Sequence, residues 1–195
     1  MIKIAIFASG SGTNAQRIAE YFQERRGLIS VDLILSNKQD AFVLERAKKL
    51  GIQCVIFSRK EFYESSYILD LLKEHETEYI ILAGFLWLVP DPILKAYPSR
   101  ILNIHPALLP KYGGKGMFGM KVHEAVISGH DKESGITIHL VNERYDEGQI
   151  LFQAKCTVDD SDIAESLAGK IHALEYNYFP KVIEDYILRG TSLKE

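Results

Sequence analysis

Over its first two-thirds the chain switches repeatedly between two hydrophobic periods, and few architectures accommodate that alternation. Residues 2–8 form a continuous apolar run with one lysine, which suits a strand covered on both faces. Residues 13–26 then place Ala15, Ile18, Ala19 and Phe22 at helical spacing. Residues 31–35 are again strand-like, and a helix follows to Leu50, capped by Asp40 or its neighbours and ended by Gly51. Residues 52–57 read as a third strand. Residues 61–76 read as a helix striped by Phe62, Ile68, Leu69 and Leu72, and residues 79–83 as a fourth strand. Pro90 and Pro92 open a short helix, where first-turn proline is tolerated, and residues 100–104 make a fifth strand. Repeated β-α-β with short connections implies an α/β fold with a mainly parallel sheet and helices on both faces.

The pattern changes after Ile104. Residues 106–119 are rich in Gly and Pro and read as a loop, and residues 122–128 read as a helix. Residues 136–141 and 149–156 flank a turn-like Glu143-Arg144-Tyr145-Asp146-Glu147-Gly148 and form an antiparallel hairpin extending the sheet. Residues 161–189 make a long helical region that Pro180 kinks or divides. No repeat or linker interrupts the chain, so its 195 residues are expected to form a single domain, near the usual ~150 residues per domain.

Composition narrows the function. The net charge of −3 argues against a general nucleic-acid binder, which needs a basic surplus. No apolar stretch approaches the ~20 residues of a membrane span, and the apolar start is too short for a secretory signal, so a cytoplasmic location is expected. Cys54 and Cys156, the chain's 2 cysteines, cannot build a disulfide framework; both are expected to be small buried hydrophobes.

Several stretches can carry chemistry. Ser9-Gly10-Ser11-Gly12-Thr13-Asn14 joins the first strand to the first helix, where backbone N–H groups at a helix N-terminus suit an anion. The third glycine of a dinucleotide fingerprint is missing, and so are the Lys-Ser/Thr of a P-loop and an acidic residue after the second strand. The loop therefore reads as a site for a phosphate monoester, with a purely structural turn as the alternative. Asn103 and His105 end the fifth strand on one face, at the strand terminus where open α/β sheets bind ligands. A core histidine with a loop-capping asparagine is the plain alternative. Asp146 is either a turn residue or a carboxylate that pairs with a histidine. His139 can line the same region, while His75, His123, His130 and His172 read as ordinary helix or loop residues. The apolar run 82–89 is core or the wall of a pocket for a flat ring, with Trp87 partly exposed. No spacing resembles a zinc cluster, so no catalytic metal is expected.

Taken together these residues resemble the folate-dependent phosphoribosylglycinamide formyltransferases of purine biosynthesis. The resemblance spans nearly the whole chain. It rests on Ser9-Gly10-Ser11-Gly12-Thr13-Asn14, Ser36-Asn37-Lys38, Leu82-Ala83-Gly84-Phe85, the run Leu102-Asn103-Ile104-His105-Pro106-Ala107-Leu108-Leu109-Pro110, Gly135-Ile136-Thr137-Ile138-His139 and Asp146-Glu147-Gly148. Methionyl-tRNA formyltransferases and formyltetrahydrofolate deformylases share the middle of this pattern but carry further domains that this length does not hold.

The resemblance implies a Rossmann-like sheet with an antiparallel C-terminal extension. It implies transfer of a formyl group from 10-formyltetrahydrofolate to the amine of glycinamide ribonucleotide. Gly12, Thr13 and Asn14 would hold the substrate phosphate, and Glu175 would receive the glycinamide end. Leu86, Trp87, Leu88 and Val89 would contact the folate, together with Asn103, and Arg59 or Lys60 would meet its tail. Asn103, His105 and Asp146 would be catalytic: the first two donate to the developing oxyanion, and Asp146 raises the pKa of His105. Partners would be these small molecules only, with no nucleic acid or membrane, and the chain would be a monomer or homodimer. Trp87 stands where many relatives have arginine, and the loop from Gly113 to Gly119 is unusually glycine-rich, as a segment closing over ligands would be. Two other functions fit parts of the pattern. A formyltransferase acting on an amino sugar nucleotide would keep Asn103, His105 and Asp146. A phosphate- or nucleotide-sensing module would bind ligand without consuming formyl-folate.

Overall fold

A computed structural model describes residues 1–25 and 27–192. Its strands follow the order β3-β2-β1-β4-β5-β6-β7 in a seven-stranded sheet, made of β1 (Ile2–Phe7), β2 (Ile29–Ser36), β3 (Gln53–Ile56), β4 (Tyr79–Leu82), β5 (Ile101–His105), β6 (Glu133–Leu140) and β7 (Ile150–Thr157). Pairings β1–β2, β1–β4, β2–β3 and β4–β5 are parallel, and β6–β7 is antiparallel. The sheet is thus the expected mixed α/β sheet, mostly parallel with an antiparallel C-terminal hairpin. The chain divides into two compact units, residues 1–103 and 104–195.

In the first unit, Ile4, Ala5, Ile6 and Phe7 of β1 are at most 2% exposed, as befits a strand with parallel neighbours on both edges. Helix α1 (Thr13–Glu24) buries Ala15, Ile18, Ala19 and Phe22, the stripe read from the sequence. Helix α2 (Val43–Leu50) ends at Gly51, whose φ of 68° lets its N–H donate to Ala47 and Lys48 carbonyls. Asp40 does not cap α2; the helix starts after Phe42 without a side-chain cap, and the Val43 N–H donates instead to the Gly10 carbonyl at 3.2 Å. The helix expected over residues 61–76 is two helices, α3 (Arg59–Tyr63) and α4 (Tyr67–Glu74). A Ser58–Glu61 capping box starts α3 early. Ser65 then donates its hydroxyl to the Glu61 carbonyl and accepts the Tyr67 N–H, separating the two helices. Helix α5 (Asp91–Ala96) carries proline in its first turn.

In the second unit, helix α6 (Met120–Ser128) precedes the β6–β7 hairpin. Helix α7 (Ala164–Ser192) runs through Pro180 as one undivided helix. Leu167, Ile171, Phe179, Ile183 and Ile187 are buried along it, and that packing outweighs the backbone hydrogen bond the proline removes.

The cysteines are not buried hydrophobes. Cys54 is exposed and Cys156 is half-buried. Cys54 lies on β3, the outermost strand beside β2, and an edge strand has less around it to cover its side chains.

Candidate active site

The second unit gathers a compact polar cluster around Asp146. His105, at the end of β5, is 3% exposed. Its Nε2 donates to the Tyr112 carbonyl at 2.7 Å, and its Nδ1 lies 3.4 Å from Asp146 Oδ2. The same carboxylate accepts the Gly114 N–H at 2.9 Å. Its other oxygen lies 3.6 Å from His139 Nε2, while His139 Nδ1 donates to the Leu140 carbonyl at 2.8 Å. Each imidazole is therefore anchored through one nitrogen and turns the other toward the carboxylate.

Local backbone features make this arrangement. The β6–β7 register shifts between Ile138 and His139; an irregularity of that kind re-aims a strand side chain. Asp146 itself sits at φ 58°. Two residues on, a Cβ at Gly148 would lie 1.7 Å from the Leu140 carbonyl oxygen, so the Asp-x-Gly spacing reflects a close backbone approach. Gly113 has a similar reason, since a Cβ there would meet Leu109 Cδ2 at 2.5 Å and Asp146 Cβ at 3.3 Å. Buried Thr137 donates to the Ala107 carbonyl at 2.7 Å and accepts the Leu109 N–H at 3.0 Å, fixing the segment after His105 onto β6.

Burial decides the charge of this cluster. It pushes the His105 imidazole below its ordinary pKa; the Asp146 carboxylate and the Tyr112 carbonyl pull upward without prevailing, and His139 pushes further down. Asp146 does raise the His105 pKa, as expected, but burial outweighs it and the net shift is downward. For Asp146, burial favours the neutral acid, but His139, His105 and the Gly114 N–H together hold the carboxyl below its usual range. The cluster is a carboxylate set between two imidazole rings, placed to stabilise a proton arriving on His105.

The first unit holds the glycine loop and the aromatic wall. Ser9 donates its N–H to the Gly84 carbonyl at 3.0 Å and accepts the Leu86 N–H on Oγ at 3.1 Å. Gly12, at φ 72°, precedes α1, and a Cβ there would lie 2.4 Å from Val43 Cγ2. Thr13 and Asn14 form the first turn of α1. Asn103 is half-buried on β5. Leu86, Trp87 and Leu88 are half-buried and Val89 is buried. Trp87 packs against Phe57, Phe62, Tyr63 and Phe85. The Arg59 guanidinium lies 4.8 Å from the Tyr63 ring centre and 5.6 Å from that of Trp87. Both candidates for the folate tail are exposed, and Arg59 is the one stacked on this wall.

Glu175, on α7 in the second unit, is 6% exposed. The structure adds what the sequence reading missed. His139, offered by the sequence only as lining the same region, is a direct partner of Asp146; alternation with Thr137 along β6 was the available signal. His123, read as an ordinary helix or loop residue, lies on α6 and is 2% exposed, a burial the sequence did not signal. Among the described residues, no group of three or more His, Cys, Asp and Glu side chains is placed to hold a metal ion, and no helix is long and apolar enough to cross a membrane.

Comparison with known proteins agrees with this geometry. Residues 2–183 match the family model described as formyl transferase. The chain is 39% identical over 186 residues to the chloroplastic phosphoribosylglycinamide formyltransferase of Arabidopsis thaliana, covering 93% of this chain and 64% of that protein. It is 36% identical to the phosphoribosylglycinamide formyltransferase of Bacillus subtilis (strain 168), covering 96% of this chain and 95% of that one. The crystal structure of phosphoribosylglycinamide formyltransferase from Streptococcus pneumoniae TIGR4 superposes with a TM-score of 0.84 at 37% identity, over 96% of this chain and 99% of that one.

Proposed function

The chain belongs to the formyl transferase family, and from that premise we propose that it transfers the formyl group of 10-formyltetrahydrofolate to the amine of 5'-phosphoribosylglycinamide. The products are formylglycinamide ribonucleotide and tetrahydrofolate, a step of purine biosynthesis. The observation that carries the reading is the His105–Asp146 pair at 3.4 Å in a chain that matches the family from residue 2 to 183.

The chemistry follows from these groups. The neutral amine attacks the formyl carbon and negative charge develops on the formyl oxygen. The Asn103 amide donates to that oxygen. His105, neutral at rest, accepts the proton released by the attacking nitrogen as the Asp146 carboxylate stabilises the imidazolium. It then returns the proton to the leaving nitrogen of the folate, so charge and protons balance. Gly12, Thr13 and Asn14 bind the substrate phosphate, and Glu175 receives the glycinamide end. Arg59, Leu86, Trp87, Leu88, Val89 and Asn103 bind the folate, which acts as co-substrate; no metal takes part. Because the match runs through both compact units, the reading treats residues 1–195 as one formyltransferase domain. It places the chain in the cytoplasm as a monomer or homodimer acting on small molecules, with neither nucleic acid nor membrane as partner.

The test is absorbance-monitored turnover of a 10-formylfolate analogue with glycinamide ribonucleotide present and then omitted. Turnover that requires the amine is expected. Turnover without it would make the chain a hydrolase, and binding without turnover would overturn the transferase reading for this acceptor.

A further inference from the structure

The glycine loop owes its orientation to α2. The Val43 N–H donates to the Gly10 carbonyl at 3.2 Å, and Arg46 Nε donates to the Ser11 carbonyl at 2.8 Å. In a trans peptide the carbonyl and the following N–H point in opposite directions. Because α2 takes both carbonyls, the Ser11 and Gly12 N–H groups face away from it. The next carbonyl, of Gly12, accepts the Gln16 N–H at 2.9 Å, which directs the Thr13 N–H out of the N-terminus of α1. Successive N–H groups disposed this way form a backbone concavity for an anion.

Arg46 does more than fill space. Its guanidinium also bonds the Gln16 side-chain oxygen and lies over the Phe42 ring at 4.9 Å. Gln16 is in turn held by Glu20 at 2.6 Å. The arginine is thus braced by Gln16 and Phe42 while its Nε holds one peptide of the loop. Its charge adds to the positive end of the α1 dipole beside that peptide.

We infer that Arg46 is a positioning residue for phosphate binding: it turns the Ser11–Gly12 peptide so that its N–H, with those of Ser11 and Thr13, receives the phosphate of the substrate. It makes no contact with the phosphate itself. The inference rests on the phosphate reading of the loop, and it extends that site by Ser11 and by a residue on another helix.

Ribose 5-phosphate, which carries the phosphate but no amine, serves as the calorimetric probe. Replacing Arg46 by Met removes the donor and the charge and keeps most of the stem. Arg46→Met is expected to weaken ribose 5-phosphate binding roughly tenfold, the usual scale for losing a hydrogen bond from a charged group. KM for the ribonucleotide should rise in parallel, while kcat and the affinity for a 10-formylfolate analogue stay within about twofold. Arg46→Lys, with one donor and the charge, should recover part of the loss. Gln16→Ala, which removes only the brace, should shift binding in the same direction by less. Unchanged ribose 5-phosphate affinity in Arg46→Met would overturn the inference, and so would a loss of folate binding and melting temperature alongside it. If the wild-type chain fails to bind ribose 5-phosphate, the phosphate reading itself falls, whatever Arg46 does.

Discussion

His123 should make the protein lose stability in mild acid. The side chain is 2% exposed on α6, and its Nδ1 has no hydrogen-bond partner among the described residues. Burial, then the charges of His172 and His105, push its pKa down to about 4 from an ordinary 6.5. The folded state therefore excludes a proton that the unfolded chain accepts. The contribution is fully present above pH ~6.5 and is lost as pH falls toward ~4, where it levels off. At ~1.36 kcal/mol per pH unit, the loss is about 2 kcal/mol by pH 5 and about 3 kcal/mol by pH 4. Against a total stability of roughly 5–15 kcal/mol that is a measurable share. Urea denaturation of the wild type and of His123→Leu at pH 8, 6 and 5 would isolate the term. Leucine fits a similar volume and removes the partnerless nitrogen, so the variants should lie within about 1 kcal/mol of each other at pH 8. At pH 5 the leucine variant should have lost about 2 kcal/mol less than the wild type. Other titrating groups are shared and cancel in the difference. Parallel loss of stability in both chains would refute the reasoning.

Four further outcomes are expected. Gly12→Ala forces a Cβ to 2.4 Å from Val43 Cγ2 at φ 72°; it should lower stability by ~1–3 kcal/mol in a denaturant titration and raise KM for the ribonucleotide. Asp146→Asn removes the charge facing His105 and should cut kcat about 10²–10³-fold with little change in either KM, on the scale of lost transition-state electrostatics; near-normal turnover would remove Asp146 from the scheme. Gly148→Ala sets a Cβ 1.7 Å from the Leu140 carbonyl oxygen, so thermal melting should drop and catalysis should fall with it as the Asp146 turn shifts. Trp87, the 1 tryptophan of the chain, should change its emission when a 10-formylfolate analogue binds and not when ribose 5-phosphate binds; emission indifferent to the folate would separate the aromatic wall from the donor site.

Much of the fold was legible because its signals are local. The stripe Ala15, Ile18, Ala19 and Phe22 needs only the sequence within α1, and Gly51 announces its own left-handed φ of 68°. What was not legible depends on partners far along the chain. Phe62 and Ile68 continue one helical stripe across the gap between α3 and α4, and only the serine hydrogen bonds reveal the break. Cys54 has apolar neighbours in sequence, but its exposure follows from the position of β3 beyond β2. The shift at Ile138/His139 depends on register with β7, which no window of β6 contains.

The candidate site divides along the same line. The strings around Asn103, His105 and Asp146 pointed to the groups proposed for the chemistry, because each spacing is short. They did not give the charge of those groups. A carboxylate beside an imidazole suggests a raised pKa, yet His105 is buried, and desolvation outweighs Asp146. That sign comes from the whole enclosure, including Tyr112 and His139, and it is why the proposed mechanism has the ring gain its proton during the reaction. The glycine loop behaves likewise. Its sequence marks a place for an anion, but a peptide can turn its N–H either way. On the inference drawn above, Arg46 settles the direction from 35 residues further along the chain, so the loop's own sequence proposes a site and omits the group that orients it.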